Sequence, residues 1–179
     1  MKRRSFVVGA SALGIASVAA RSVLDRPEPA VRAPTRGGTL VVLLGGEPSL
    51  LVSAFDSTMT NGMIGSKVLE GLVTYDVDLK PKPALAESWE VSPDGLGIRL
   101  NLRRGVAWHD GRPFTSSDVV FTLQEAWSKL HPFGRAVYRN VEKVEAPDAH
   151  SVVLQLSAPA QYLFAYLNSY GSQVLPRHV

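Results

Sequence analysis

The chain has 179 residues, 45% of them hydrophobic and 20% charged, with no cysteine and a formal net charge of +3. Lacking cysteine, it has no disulfide framework, thiolate metal site, cysteine nucleophile or lipid-bearing cysteine. Lys2, Arg3 and Arg4 account for the whole net charge, and residues 1–20 contain no acid. The remainder is therefore neutral overall and carries no Lys/Arg stripe, which excludes a basic nucleic-acid-binding surface.

Residues 1–20 read as a secretory signal peptide: a basic start, then an uncharged apolar run from Phe6 to Ala20 that is too short to span a bilayer comfortably. Arg3 and Arg4 followed by Ser5 and Phe6 fit a twin-arginine export signal, with an ordinary Sec signal as the alternative. Residues 21–36, rich in Pro, Arg and Ala without apolar periodicity, read as a flexible linker. The expected product is a soluble periplasmic protein with no lipid anchor.

Order is expected from Gly37-Gly38 onward. The continuous apolar run 39–44 predicts a strand buried on both faces, broken at Gly45-Gly46-Glu47-Pro48. Met63, Ile64, Val68, Leu69 and Leu72 are spaced for one face of a helix over residues 61–72, with Asn61 as N-cap. Residues 73–75 predict a short strand, and Pro81 and Pro83 hold the chain extended.

Residues 88–91 and 98–102 flank Ser92-Pro93-Asp94-Gly95 and predict a hairpin, with Ile98, Leu100 and Leu102 facing the core. Thr115-Ser116-Ser117-Asp118 opens a helix to about Leu130 with a capping-box pattern. Two further strands, 141–145 and 151–156, are separated by a turn at 146–149, and a short aromatic-rich helix follows over 160–168. The pattern is mixed α/β, without internal repeats.

Few residues suggest chemistry. His109 and Asp110 could form an acid/base pair, as a secreted hydrolase would require. Adjacent residues on an extended segment point to opposite faces, however, and Asp-Gly is a common turn pair. Residues 108–111 therefore read as a hairpin end. His131, His150 and His178 lack metal-ligand spacing, and neither a GxGxxG, a P-loop nor a GxSxG pattern occurs. Trp89, Trp108 and Trp127 are read as packing residues.

Several ordered blocks carry a resemblance. These are Gly37-Gly38-Thr39-Leu40 with Gly46-Glu47-Pro48, Glu70 through Asp76, and Pro83 through Glu90 with Ser92 through Gly95. Leu102-Arg103-Arg104-Gly105-Val106, Trp108 through Gly111, Pro113-Phe114-Thr115, Asp118-Val119-Val120 and Leu175-Pro176 complete the set. Together they resemble bacterial extracellular solute-binding protein family 5, the dipeptide/oligopeptide-binding components of ABC transporters. Leu50-Leu51-Val52-Ser53 departs from the family's usual Leu-Asn-Pro or Leu-Asp-Pro, and Gly97-Ile98-Arg99 stands where an aromatic-containing strand is usual.

The resemblance implies a partial periplasmic-binding-protein-like clamshell over residues 37–179, made of the first strand of the large lobe and the subdomain inserted into it. It implies no cofactor, and capture of a peptide or other small solute for delivery to an inner-membrane ABC permease. Nickel, an opine, a sugar or haem are alternative ligands within the family. It also implies that Asp56, Ser57, Thr58 and Met59 border the ligand cleft, and that most of the site belongs to regions further along the family's fold.

Overall fold

The computed structural model describes residues 37–56 and 58–179. The leader with Arg3, Arg4 and Phe6, the linker 21–36 and Ser57 lie outside the described residues. Two compact units are distinguished, Met1–Val42 and Leu43–Val179. In the first, the described residues 37–42 form no regular element, and Gly37 and Gly38 take positive φ values of 92° and 109°.

The buried strand expected over 39–44 is not present. Leu40, Val41, Val42 and Leu43 are all exposed, Leu43 at 96%. An apolar run favours burial but cannot supply a hydrogen-bonding neighbour, and no strand among the described residues pairs with this segment.

The second unit is built on a four-stranded antiparallel sheet in the order β3-β4-β6-β5. Its strands are β3 (Ala86–Val91), β4 (Gly97–Leu102), β5 (Val141–Asp148) and β6 (Ser151–Leu156). On β4, Ile98, Leu100 and Leu102 are buried while Arg99 stays wet, as the alternation predicts. On β6, Val152, Leu154 and Leu156 do the same, and Ile98↔Leu154 and Leu100↔Val152 place the two apolar rows side by side. The β3–β4 turn forms at Ser92-Pro93-Asp94-Gly95. Asp94 Oδ1 accepts from Ser92 Oγ at 2.5 Å and from Leu96 N at 3.0 Å, and Gly95 supplies φ = +72°.

β5 is longer than the sequence pattern suggested, continuing through Ala146 and Pro147 to Asp148. It is an edge strand with a register shift between Glu145 and Asp148, so the missing Pro147 amide interrupts no central ladder. The turn moves to Ala149-His150, where Asp148 Oδ1 accepts from His150 N at 2.8 Å.

The buried face of the sheet is covered by α2 (Ser116–Phe121), which packs on β5 and β6. Its start follows the capping pattern, with Asp118 Oδ2 accepting from Thr115 N at 2.9 Å. Regular α-helix ends at Phe121, earlier than the apolar stripe implied. Residues Thr122–Trp127 open into a π-helical turn, closed by an i→i+5 bond from Ser128 N to Leu123 O at 3.2 Å. Thr122 Oγ1 donates to Asp118 O (2.7 Å) and accepts from Leu175 N (2.9 Å), so a second chain segment competes for the helix here. Trp127 is the largest fully buried side chain, whereas Trp89 and Trp108 are half-buried against the core. A four-residue helix, α3 (Gly134–Val137), precedes β5.

A smaller two-stranded sheet pairs β1 (Val73–Tyr75) with β2 (Pro81–Pro83), Thr74 opposite Lys82. Preceding it, α1 (Met59–Gly65) is shorter than the helix expected over 61–72, and Thr58, not Asn61, is its N-cap. Within α1, Asn61, Gly62 and Gly65 make the buried face; of the expected stripe, Leu72 is buried in the core, Ile64 and Leu69 are half-buried, and Met63 and Val68 are exposed. The two glycines explain the inversion: a Cβ on Gly62 would lie 2.5 Å from the Tyr170 ring, and one on Gly65 would lie 2.3 Å from Leu51 O. Backbone proximity, which apolar spacing does not report, sets the inward face.

The aromatic-rich helix is a shorter 3₁₀ segment, Gln161–Ala165. Beyond it, residues 172–177 run as a strap tied to distant parts of the unit. Gln173 Oε1 accepts from Ser53 N at 3.0 Å, Val174 N donates to Glu70 O at 2.8 Å, and Arg177 N donates to Asp118 Oδ1 at 2.9 Å. Among the described residues, no helix is long and apolar enough to cross a membrane.

Candidate functional site

The candidate cleft-bordering residues occupy the approach to α1. Asp56 organises it: Oδ2 accepts from Ser49 Oγ at 2.5 Å and Oδ1 from Thr58 N at 3.0 Å. Asn61 Nδ2 reaches Ser49 Oγ at 3.1 Å and ties this bend to the first turn of α1. The Ser49 hydroxyl, and then the Thr58 amide, hold the Asp56 carboxyl below its usual range.

Asp56 is thus committed to shaping the loop. Thr58 is exposed, and as N-cap its side chain makes no capping hydrogen bond. Met59 projects at the helix start, 70% exposed. Among the described residues of this edge, Thr58 therefore offers a hydroxyl and Met59 a polarizable thioether to solvent, on a bend fixed from behind. Leu50, Leu51 and Phe55 flank it, each about half exposed.

The His109–Asp110 pair does not form. Asp110 instead accepts from Arg112 N at 3.1 Å and sits 2.7 Å from Nε2 of His178, with Arg112 Nε 3.7 Å away. The residues 108–111 are the hairpin end expected: Trp108 N donates to Arg112 O and Gly111 N to Trp108 O. Spacing could not reveal the pairing of Asp110 with His178, because the two are 68 residues apart. Among the described residues, no group of three His, Cys, Asp or Glu side chains could hold a metal ion.

Turn carboxylates give the unit a common pH response. Asp56, Asp76, Asp94, Asp110 and Asp148 all lie below the usual carboxylate range. Ser49 and Ser92 hydroxyls dominate at Asp56 and Asp94; the amides of Lys80, Arg112 and His150 dominate at Asp76, Asp110 and Asp148. A depressed folded-state pKa adds stability that is complete above the unfolded aspartate value of about 3.9 and is lost as pH falls through the lower folded values. Burial lowers the His131 pKa in the same way, so its contribution is lost as pH falls below the unfolded histidine value of about 6.5. Urea denaturation at a series of pH values is therefore expected to show a modest fall in the midpoint below about pH 6.5 and a steeper decline below about pH 4.

The fold and sequence match known proteins. Residues 80–177, more than half of the chain, match the model for bacterial extracellular solute-binding proteins, family 5 Middle. The oligopeptide-binding protein AppA of Bacillus subtilis is 32% identical over 148 residues, covering 82% of this chain and 27% of AppA. Its crystal structure with a nonapeptide superposes with a TM-score of 0.66 and 31% identity over 74% of this chain and 26% of that one.

NikZ of Campylobacter jejuni, solved with Ni(L-His), gives a TM-score of 0.65 at 29% identity, covering 75% of this chain and 26% of NikZ. AgaA of A. tumefaciens R10, solved with agropinic acid, gives 0.63 at 36% identity, covering 74% of this chain and 27% of AgaA. The chain thus spans about a quarter of the length of these proteins. The mixed α/β, periplasmic-binding-protein-like fold and the ordered sequence blocks converge, and the chain belongs to the bacterial extracellular solute-binding proteins of family 5.

Proposed function

We propose that this chain supplies one wall of the ligand cleft in the substrate-binding component of a peptide-type ABC transporter. In this reading the protein captures a peptide in the periplasm and hands it to an inner-membrane permease, with residues 56–59 contacting the ligand. The observation that carries it is the braced bend: Asp56 is held from behind by Ser49 and Thr58, leaving Thr58 and Met59 outward. AppA, which resembles 82% of the chain, was solved with a nonapeptide, and this favours peptide over nickel or opine.

One partial wall does not enclose a small ligand, since binding sites bury about 70–90% of a ligand's surface. The test is therefore a chimaera in which residues 37–179 replace the matching quarter of AppA. Calorimetry is expected to find nonapeptide affinity within about tenfold of AppA's, and Met59→Asp to weaken it by about tenfold or more through an unpaired charge at the contact. A folded chimaera that ignores peptide, or is indifferent to Met59→Asp, contradicts the assignment. Agropinic acid and Ni(L-His), run in parallel, test the other ligand classes of the relatives.

Residues 1–20 are proposed to route the protein through twin-arginine export. Replacing Arg3 and Arg4 by Lys is expected to abolish export of a folded reporter fused to them. A reporter that still reaches the periplasm through the Sec pathway would identify an ordinary signal peptide instead.

A further inference from the structure

The end of α1, the β1–β2 hairpin and the loop after the 3₁₀ segment enclose an open groove of about 570 Å³, whose lining includes none of residues 56–59. That volume falls within the range of small-molecule sites. Each wall is fixed by an identifiable interaction. Asn168 Oδ1 accepts from Tyr170 N and Gly171 N, both at 2.8 Å, and Gly62 leaves room for the Tyr170 ring to rest on α1. Gly71 N donates to Ser169 Oγ at 3.2 Å, and Val73 N to Leu167 O at 2.9 Å, joining this loop to β1 beside Tyr75.

Opposite, the hairpin tip is held by Asp76, whose Oδ1 accepts from Asp78 N at 3.0 Å and Lys80 N at 2.9 Å. Leu79 follows with φ = +57°, a conformation that non-glycine residues seldom adopt, and its side chain is 79% exposed at the groove.

The groove's charge is simple. Lys67 is the one charged side chain in the lining, and it makes no ion pair among the described residues. Asn168, Ser169 and Ser66 are occupied by local hydrogen bonds, the last donating to Met63 O at 3.2 Å. What remains for a ligand is the Lys67 ammonium group, the Thr74 hydroxyl and the two phenol groups, beside the apolar surfaces of the tyrosines and Leu79. We propose that this groove is a second binding site, separate from residues 56–59, for a small carboxylate bearing an aromatic or branched apolar body. The carboxylate would pair with Lys67 while the body lies along Tyr75, Leu79 and Tyr170.

Amide NMR spectra of the 179-residue chain, titrated with 3-phenylpropionate and separately with its uncharged amide, test this. The carboxylate is expected to give saturable shifts at Lys67, Tyr75, Leu79 and Tyr170 at the millimolar concentrations that so open a site implies. The amide should bind about fivefold more weakly, the usual worth of one exposed charge pair. Lys67→Gln, a surface change, should abolish that preference while leaving the rest of the spectrum unchanged. Gly62→Ala, which displaces Tyr170, should weaken both probes. Equal binding of the two probes, saturable shifts elsewhere, or no saturation with either would overturn the proposal. The site stands apart from the peptide reading, because the AppA chimaera assays residues 56–59 and these titrations assay the groove.

Discussion

Trp127→Ala is expected to unfold the unit at temperatures where the native chain is stable. Trp127 is 1% exposed, and its indole N–H donates to Gln173 O at 2.8 Å. Removing a buried tryptophan costs about 3–5 kcal/mol, a large share of the stability of a domain that has only about 5–15 kcal/mol in total. Trp127→Phe separates the two contributions: it keeps most of the packing but strands the Gln173 carbonyl, for a loss of about 1–3 kcal/mol. Chemical denaturation of both variants provides the check. An Ala variant no less stable than the Phe variant would show that Trp127 serves only as a hydrogen-bond donor to the strap.

Gly71→Val is expected to be comparably damaging for a different reason. A Cβ at this position would lie 2.3 Å from the Asn168 carbonyl carbon and 2.4 Å from Ser169 N. Both are backbone atoms, so no rotamer change relieves the clash, and β1 must part from the 165–170 loop. Overpacking costs about 1–3 kcal/mol where side chains can adjust, and the upper end or beyond is expected here. Hydrogen exchange localises the effect. Protection should fall at Val73 and Leu167 and persist at Leu100 and Val152 in the central strands. Uniform loss across the sheet would mean that the two regions unfold as one.

The parts of this fold that were legible in the sequence are those whose signals are local. The alternation of Ile98, Leu100 and Leu102, the turn chemistry of Ser92 to Gly95 and the acid three residues after Thr115 each need only neighbours within a few positions. Each appears in the structure where the pattern put it. The misreadings share one cause, a distant partner. The apolar run at 39–44 announces burial without naming a neighbouring strand. The stripe from Met63 to Leu72 could not report that Tyr170 and Leu51 press on Gly62 and Gly65.

The π-helical turn beginning at Thr122 was equally invisible, because the group that meets Thr122 Oγ1 is Leu175, 53 residues on. At the candidate cleft, the resemblance proposed the segment, and the hydrogen bonding within it came from the structure. Asp56, the only ionisable residue of the four, braces the bend.

The strap at 172–177 also constrains the order of events in synthesis. Ser53 and Gln173 are 120 residues apart, and Arg177 reaches back 59 residues to Asp118. The sheet β3-β4-β6-β5 can pair as soon as β6 is complete, since its ladders join consecutive or nearby strands. The segment before α1 cannot dock until residues 173–174 have left the ribosome, however, because its anchor does not yet exist. Closing so long a loop carries an entropic cost that contacts within the sheet do not offset. A chain released only as far as β6 is therefore expected to hold a formed sheet and a loose front end, which hydrogen exchange on ribosome-stalled chains would check. During that stage Leu50, Leu51 and Phe55, already half exposed in the finished unit, add to the apolar surface that a chaperone would meet.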